Sequence, residues 1–136
     1  MFTHKLVAVI NKDLEPGVAL NALAHMTLGL GAHVNKALLR LDTYKDANGN
    51  NYPNISQMPF IILRGNSNEI RKTIASAKEQ SIEYGIFLNT MTGGTYQEQL
   101  ERTLQTQESA LVYCGCVLFG PWEAVSILIK KLSLWK

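Results

Sequence analysis

The sequence has little excess charge of either sign, and this scarcity limits the partners that it could bind. It holds 13 lysine and arginine residues against 11 acidic ones, a formal net charge of +2 at pH 7. That excess is too small by itself to predict binding to nucleic acid. A nucleic-acid partner stays open if the basic residues cluster in space.

Long apolar runs are also missing. The apolar stretch within MFTHKLVAVINKD (1–13) is shorter than the apolar region of a signal peptide. It is far shorter than the roughly 20 residues that a membrane-spanning helix needs. We therefore expect a cytoplasmic protein without a membrane partner.

Cysteine is scarce, since only Cys114 and Cys116 occur, within YCGCVLF. Two such residues in a strand share a face, but their Cα atoms lie roughly 6.5–7 Å apart, the upper limit for a disulfide. Without a nearby pair of histidines they do not complete a tetrahedral zinc site, and loop 45–54 lacks the terminal glutamate of a calcium loop. We expect buried strand thiols, with a redox or metal role as the alternative, and predict no metal site and no cofactor.

The chain does contain a regular alternation of short apolar runs and helical patterns, and its 136 residues fit a single domain, 1–136. Pro16 suits the first turn of a helix, and Asn48-Gly49 is typical of a hairpin turn. Such alternation predicts an α/β fold whose sheet is mixed, because a hairpin is antiparallel. The predicted strands are 5–11, 38–44, 59–64, 84–90 and 109–120, and the predicted helices are 18–31, 67–81, 95–107 and 121–132.

Polar residues follow two of the predicted strands at the place where a binding site is expected. In open α/β sheets, ligands bind beyond the carboxyl ends of parallel strands. We therefore predict a cleft between residues 11–25 and 89–95. The polar side chains at these two strand ends are Asn11, Lys12 and Asp13, followed by Asn89, Thr90 and Thr92.

An amide and an imidazole share one stripe of the first helix, which is otherwise nearly all apolar. Asn21 and His25 are four residues apart and so lie on one face. A helix that is apolar all round is largely buried, and buried polar groups need hydrogen-bond partners. Two interpretations stay open: a structural pair that ties the helix to neighbouring backbone, or a stripe lining the cleft with His25 as a general acid or base.

The segment LNTMTGGTYQEQ (88–99) offers hydroxyls and open backbone amides to a ligand. It also suits the start of a helix, because Thr95 and Glu98 have the spacing of a capping box. Thr95 is therefore both a predicted cap and a candidate hydroxyl donor. By similar reasoning, Ser67 is predicted to cap the preceding helix.

The segments KLVAVINKDLEPG and VLFGPWEAVSILIKKLSLW, at the two ends of the chain, resemble the type II peptidyl-tRNA hydrolases. The middle segment, MPFIILRGNSNEIRKTIASAKEQ, resembles their second strand-helix unit. Along nearly its whole length, including NKDLEPGVALNALAH and YKDANGN, the chain is similar to an uncharacterised sister family of that fold, a domain of unknown function. The resemblance implies a three-layer α/β/α sandwich around a small mixed sheet, commonly found as a homodimer.

The resemblance carries only some functional residues over to this chain. Asp13-Leu14, His25 and Gly120-Pro121 match the hydrolase pattern. Val18 stands where the hydrolases keep a catalytic lysine, and Ala22 stands where they keep a glutamine. The segment NTMTGG replaces their Asp-Ala-Gly turn, so the ammonium and the carboxylate expected for ester cleavage are missing.

These observations lead to three hypotheses for function. The first is a cytosolic protein of the hydrolase-like fold that binds a small polar or nucleotide-like ligand, oriented by Asp13, Asn21 and His25. The second is a hydrolase of peptidyl-tRNA or a related acyl ester, with His25 as acid or base and Asp13 orienting it. The third is a non-catalytic RNA-binding or dimeric interaction module.

Overall fold

The computed structural model describes all residues from 1 to 136 and contains four α-helices and seven strands. Short 3-10 turns occupy residues 36–39, 89–91 and 108–110. The strands are β1 (His4–Asn11), β2 (Leu41–Lys45), β3 (Asn51–Ser56), β4 (Phe60–Gly65), β5 (Glu83–Leu88), β6 (Tyr113–Pro121) and β7 (Ser133–Leu134). The helices are α1 (Pro16–His33), α2 (Ser67–Glu79), α3 (Tyr96–Leu104) and α4 (Trp122–Leu128).

A five-stranded sheet in the order β5-β6-β1-β4-β7 organises the fold. Strands β1 and β4 are parallel, whereas β6 runs antiparallel to both β1 and β5. Consequently β1, β4 and β5 run in the same direction, and their carboxyl ends lie at one end of the sheet. The prediction of a mixed α/β sheet is confirmed. Gly120-Pro121, at the carboxyl end of the antiparallel strand β6, lies at the opposite end of the sheet.

Helices cover both faces of this sheet because its strands are apolar on both sides. In β1, Leu6, Ala8 and Ile10 face α1, and the alternate residues Val7 and Val9 face α2 and α4. Each face has its own core, and every residue of β6 before Pro121 is buried. Burying both faces in this way is typical of near-continuous apolar strands.

The second predicted strand, 38–44, begins three residues later than predicted and does not belong to the main sheet. Residues 36–39 form a 3-10 turn that ends at Arg40, whose φ is +53°. The strand then begins at Leu41 and pairs only with β3, in a separate two-stranded hairpin. Every residue of β2 is exposed, because its polar sequence LDTYK could not be buried on two faces. The predicted turn at Asn48-Gly49 is confirmed, with Gly49 at a φ of +84°, but the predicted loop 45–54 is too long, because β3 begins at Asn51.

Helix α2 is capped by Asn66, not by the predicted Ser67. The Asn66 side chain accepts a hydrogen bond from the Glu69 amide, and the Glu69 carboxylate accepts one from the Asn66 amide. Ser67 instead accepts a bond from the Tyr113 amide and holds the start of β6. The predicted capping box of Thr95 and Glu98 is confirmed.

The carboxyl-terminal part of the chain also differs from the prediction. Helix α4 ends at Leu128, and not at residue 132. The chain then turns back, and β7 pairs with Leu63 and Arg64 of β4. This short fifth strand of the sheet was not predicted, because two residues are too few to show a periodic pattern.

The two cysteines lie on opposite faces of the sheet, contrary to the expectation that they share one. A bulge in the pairing of β5 with β6 leaves Cys114 as an extra residue, between Gly115 opposite Phe87 and Tyr113 opposite Leu88. Cys114 therefore packs in the α1 core, and Cys116 packs in the α2 core. Both thiols are free and buried.

We expect neither cysteine to react in the folded protein. Burial raises the pKa of both thiols, that of Cys116 to about 12, and the thiolate is the reactive form. Iodoacetamide at about pH 8 should leave the native protein unlabelled and should label both residues once guanidinium unfolds the chain. Rapid labelling of the native protein, read by mass spectrometry, would contradict this packing.

Candidate functional site

A cleft of about 1160 Å³ lies between α1, the edge strand β5 and α3. One flank of α1 forms the first wall, residues 83–87 of β5 form the floor, and α3 with the preceding turn forms the second wall. The cleft thus opens beside the edge of the sheet, and its far end lies next to the carboxyl end of β5.

Asn21 and His25 line the α1 wall and are not a buried structural pair. Both are exposed, and neither side chain has a hydrogen-bond partner in the chain. The His25 ring stacks on Phe87 of β5, with 5.6 Å between ring centroids. The amide of Asn21 and the ring nitrogens of His25 are therefore available to a ligand.

The expectation that α1 is buried all round is wrong. Only the side with Ala19, Ala22, Met26 and Leu30 packs on the sheet. Other apolar residues of the helix face outwards, with Leu28 74% exposed. No second layer covers α1, so the flank that carries Asn21 and His25 stays accessible.

Arg102 holds the second wall in place. Its guanidinium donates hydrogen bonds to the carbonyl oxygens of Thr90, Thr92 and Gly93, at 2.7–3.3 Å. Thr103 adds a bond to the Thr90 hydroxyl at 2.7 Å. Because one cation satisfies three carbonyls, the turn after β5 is fixed against α3 and Thr92 is positioned at the cleft.

Sequence reasoning missed Arg102 and the α3 side chains that line the cleft. Tyr96 and Leu100, one helical turn apart, stand on the cleft side of α3 and are 74% and 46% exposed. Their apolar stripe on an otherwise polar helix was a signal, since such a stripe normally packs on a core. Here it faces the cleft instead.

The cleft is poor in charge. No lysine or arginine lines it, and Glu83 is its one acidic residue. Glu83 pairs with His33 of α1 at 3.0 Å, at the end of the cleft where β5 begins. Exposed pairs of this kind contribute little to stability, so the bridge closes this end of the cleft only weakly.

Asn11 and Asn89 are occupied by the backbone of the sheet. Asn11 is 4% exposed, donates to the Tyr113 carbonyl and accepts from the Asp13 amide, both at 2.9 Å. The Asn89 side chain accepts from the Val112 amide at 3.0 Å. Together these amides tie the start of β6 to the ends of β1 and β5, and neither lines the cleft.

The remaining candidates fall into two groups. Lys12 and Asp13 are exposed on the loop after β1, outside the cleft, and Asp13 makes no bond to His25. Thr90 is buried beneath α3 and Thr95 caps that helix. Of all the predicted site residues, the structure therefore brings together Asn21, His25 and Thr92.

Fold and site together define an α/β protein with a mixed five-stranded sheet, helices on both faces and an open cleft at one edge. The chain belongs to the family described as "Protein of unknown function (DUF2000)", which matches residues 4–136. A protein of unknown function from Agrobacterium tumefaciens strain C58, Atu0240, has a similar structure, with a TM-score of 0.84, 20% identity and 100% coverage of both chains. At that identity the similarity shows the fold alone. A search among curated proteins gave no match.

Substitution of Asn11 should separate a structural role from a ligand contact. Asn11→Ala removes both bonds at a buried position, so we expect the free energy of unfolding to fall by about 1–3 kcal/mol. The neighbouring control Lys12→Ala is exposed and should change it by less than about 0.5 kcal/mol. Equal effects in chemical denaturation would show that Asn11 does not secure the sheet.

Proposed function

We propose that this protein is a binding protein, and that its cleft takes an uncharged or cationic ligand carrying both apolar and hydrogen-bonding groups. One observation carries the proposal: the cleft combines apolar walls with the unpartnered side chains of Asn21 and His25, and no lysine or arginine lines it. Clefts with apolar walls and a few polar groups are the usual form of ligand sites.

Three side chains would orient the ligand. Asn21 offers an amide donor and an acceptor, and His25 offers one of each when neutral. The Thr92 hydroxyl donates to the Asn89 carbonyl at 2.8 Å and keeps its lone pairs for a ligand donor. Phe87 and Leu100 would contact the apolar part.

The lack of lysine and arginine in the lining makes a nucleotide-like ligand or tRNA less favoured at this cleft, although the uncapped start of α1 lines it at Gly17 and Val18. Phosphates are normally held by arginine, lysine or backbone amides at helix ends. Arg102, which holds the turn at the second wall, already donates to three carbonyls. Lys12 lies outside the cleft.

We infer that the fold is of the type II peptidyl-tRNA hydrolase kind, supported by the helices on both faces of the mixed sheet and by the matches at Asp13-Leu14 and Gly120-Pro121. Hydrolysis is the less favoured function. Val18, at the position of the hydrolase lysine, lines the cleft wall as an apolar residue. No ammonium stands there to stabilise developing negative charge.

We also propose the cytoplasm as the compartment of this protein. The support is its two free thiols, which are separated by the sheet and cannot form a disulfide with each other. Free thiols are typical of reducing compartments.

A thermal-shift screen tests the binding proposal. A ligand at 100 times its Kd stabilises the folded state by about 2.7 kcal/mol, so a set of small amphipathic amides and amines should include compounds that raise Tm by several degrees. Asn21→Ala combined with His25→Ala should abolish those shifts, and should cost about 1 kcal/mol or less in the absence of ligand.

Ala24→Ser is the matched control on α1, because Ala24 is exposed and does not line the cleft. It should keep every shift. Compounds that stabilise the double variant as much as the wild type would place binding elsewhere. Hits confined to nucleotides, with affinity that falls steeply with salt, would favour a phosphate ligand instead.

The hairpin β2–β3 favours a second function, assembly into a dimer. A two-stranded hairpin alone is marginally stable, yet this one pairs with no other strand. Cross-strand partners share a face, so Tyr44 lies beside Tyr52, and Ile55 lies on the same face through the bulge between residues 42 and 44. All three are about half exposed. Two copies packed through this face would cover it.

Sedimentation velocity tests the dimer. We expect the wild type to sediment as a dimer and Tyr44→Ser combined with Ile55→Ser to sediment as a monomer, because the double variant removes most of the apolar face. Tyr52 is kept because its hydroxyl donates to Asp46 and orders the hairpin tip. Thr43→Ala, on the other face, should leave the dimer intact. A monomeric wild type would contradict the proposal.

A further inference from the structure

The outer edge of β5 has no partner in the chain. Strand β5 is the last strand of the sheet and pairs with β6 alone. None of the backbone hydrogen bonds made by turns and loops involves residues 83–87. In an antiparallel pair, alternate residues turn their N–H and C=O groups away from the partner. The edge of β5 therefore presents a row of free backbone donors and acceptors.

The cleft follows this edge and does not lie over one face of the sheet. Gly85 and Phe87 face α1, whereas Tyr84 and Ile86 point to the α2 side, where Lys78 lies over the Tyr84 ring. All four residues line the cleft. Residues of both faces can line one cleft only where it wraps around the strand, so the free backbone groups open into it.

The edge lacks the usual protection against strand pairing. Exposed edge strands normally carry lysine, proline or a covering element. The sequence of β5, EYGIFL, has neither residue, and α1 and α3 flank the edge without pairing with it.

We infer that the cleft binds an extended peptide segment, which adds to the edge of β5 as a further strand. The inference rests on the proposed function and names its ligand class. Backbone groups of the peptide would pair with those of β5, as in other cases of strand addition. Alternate side chains would contact the α1 wall at His25 and the α3 wall at Tyr96 and Leu100.

The chemistry of the cleft restricts the peptide further. Glu83 is the one acidic residue in its lining, where it pairs with His33, and no lysine or arginine lines the cleft. A neutral or basic segment therefore fits, and a phosphorylated or acidic one does not. A second copy of β5 does not fit either, because its own α1 and α3 walls project on both sides of the strand. The occupant is a linear segment.

A phage library of random heptapeptides, panned on the immobilised protein, supplies the probes. We expect enriched sequences that alternate in apolar character. A synthetic peptide of the leading sequence is then N-methylated at alternate residues, in two complementary sets. In strand addition, only alternate N–H groups of the peptide bond to β5. N-methylation of that set should weaken binding at least tenfold, where tenfold corresponds to about 1.4 kcal/mol, and N-methylation of the other set should leave the affinity unchanged.

Variants of α3 give the matched side-chain test. Leu100→Ser should weaken the peptide about tenfold. Leu104→Ser, one turn further along and outside the cleft, should leave the affinity unchanged. Bound peptide should also slow hydrogen exchange at alternate amides of β5. A dimer in which those amides are protected without peptide would overturn the inference, because a second copy would already fill the edge.

The two proposals can fail separately. No enriched peptide, or equal loss from both N-methylated sets, overturns strand addition. If the amphipathic compounds still raise Tm through Asn21 and His25, the proposed binding function survives that failure. If neither peptides nor small compounds bind in the cleft, both are overturned.

Discussion

The burial of β6 on both faces and along both edges is the constraint on which the rest of the structure depends. Because β6 runs antiparallel between β1 and β5, these two strands are parallel and end at the same side of the sheet. Asn11 and Asn89 secure this arrangement by bonding the backbone at the start of β6.

Glycine in the sheet lets α1 lie close above it: a Cβ at Gly115 would come within 2.9 Å of Met26 Cε and 3.0 Å of the Val9 carbonyl. A larger residue here would have to displace the Met26 side chain and the Val9 carbonyl.

The cleft follows from the same geometry. With β6 enclosed, β5 becomes the edge strand, and α1 covers the sheet only as far as Gly85 and Phe87. The chain then passes through a short turn into α3, which is held by Arg102 and not by a core of its own, since none of its residues is buried. A helix that is anchored by hydrogen bonds at one side can present its apolar stripe to a ligand, because that stripe is not buried against the rest of the protein. In the proposed peptide complex, the free backbone of β5 would add to the polar contacts of Asn21 and His25.

Particular residues show how far sequence reasoning extended. Apolar β-branched runs located β1, β4, β5 and β6, and the capping box at Thr95 was recognised because it depends on residues three positions apart. Ser67 was mistaken for a cap because Asn66 offers the same chemistry one position earlier, and only the backbone angles distinguish them. The relation of Cys114 to Cys116 was wrong for a different reason. A bulge is a property of two paired strands, and it does not appear in the pattern of one.

The sequence by itself determined the α/β class, most strands of the main sheet and the apolar character of α1, because local periodicity and turn chemistry act over a few residues. It also placed an amide and an imidazole on one stripe of α1. Only the tertiary structure decided what that stripe faces, since the answer depends on β5 pairing with β6, which lies well beyond it in the chain. The same long-range pairing turned Asn11 and Asn89 into supports of the sheet and left the β5 edge open. Such pairing is selected by the burial of whole strands, and no local pattern encodes which edge remains free.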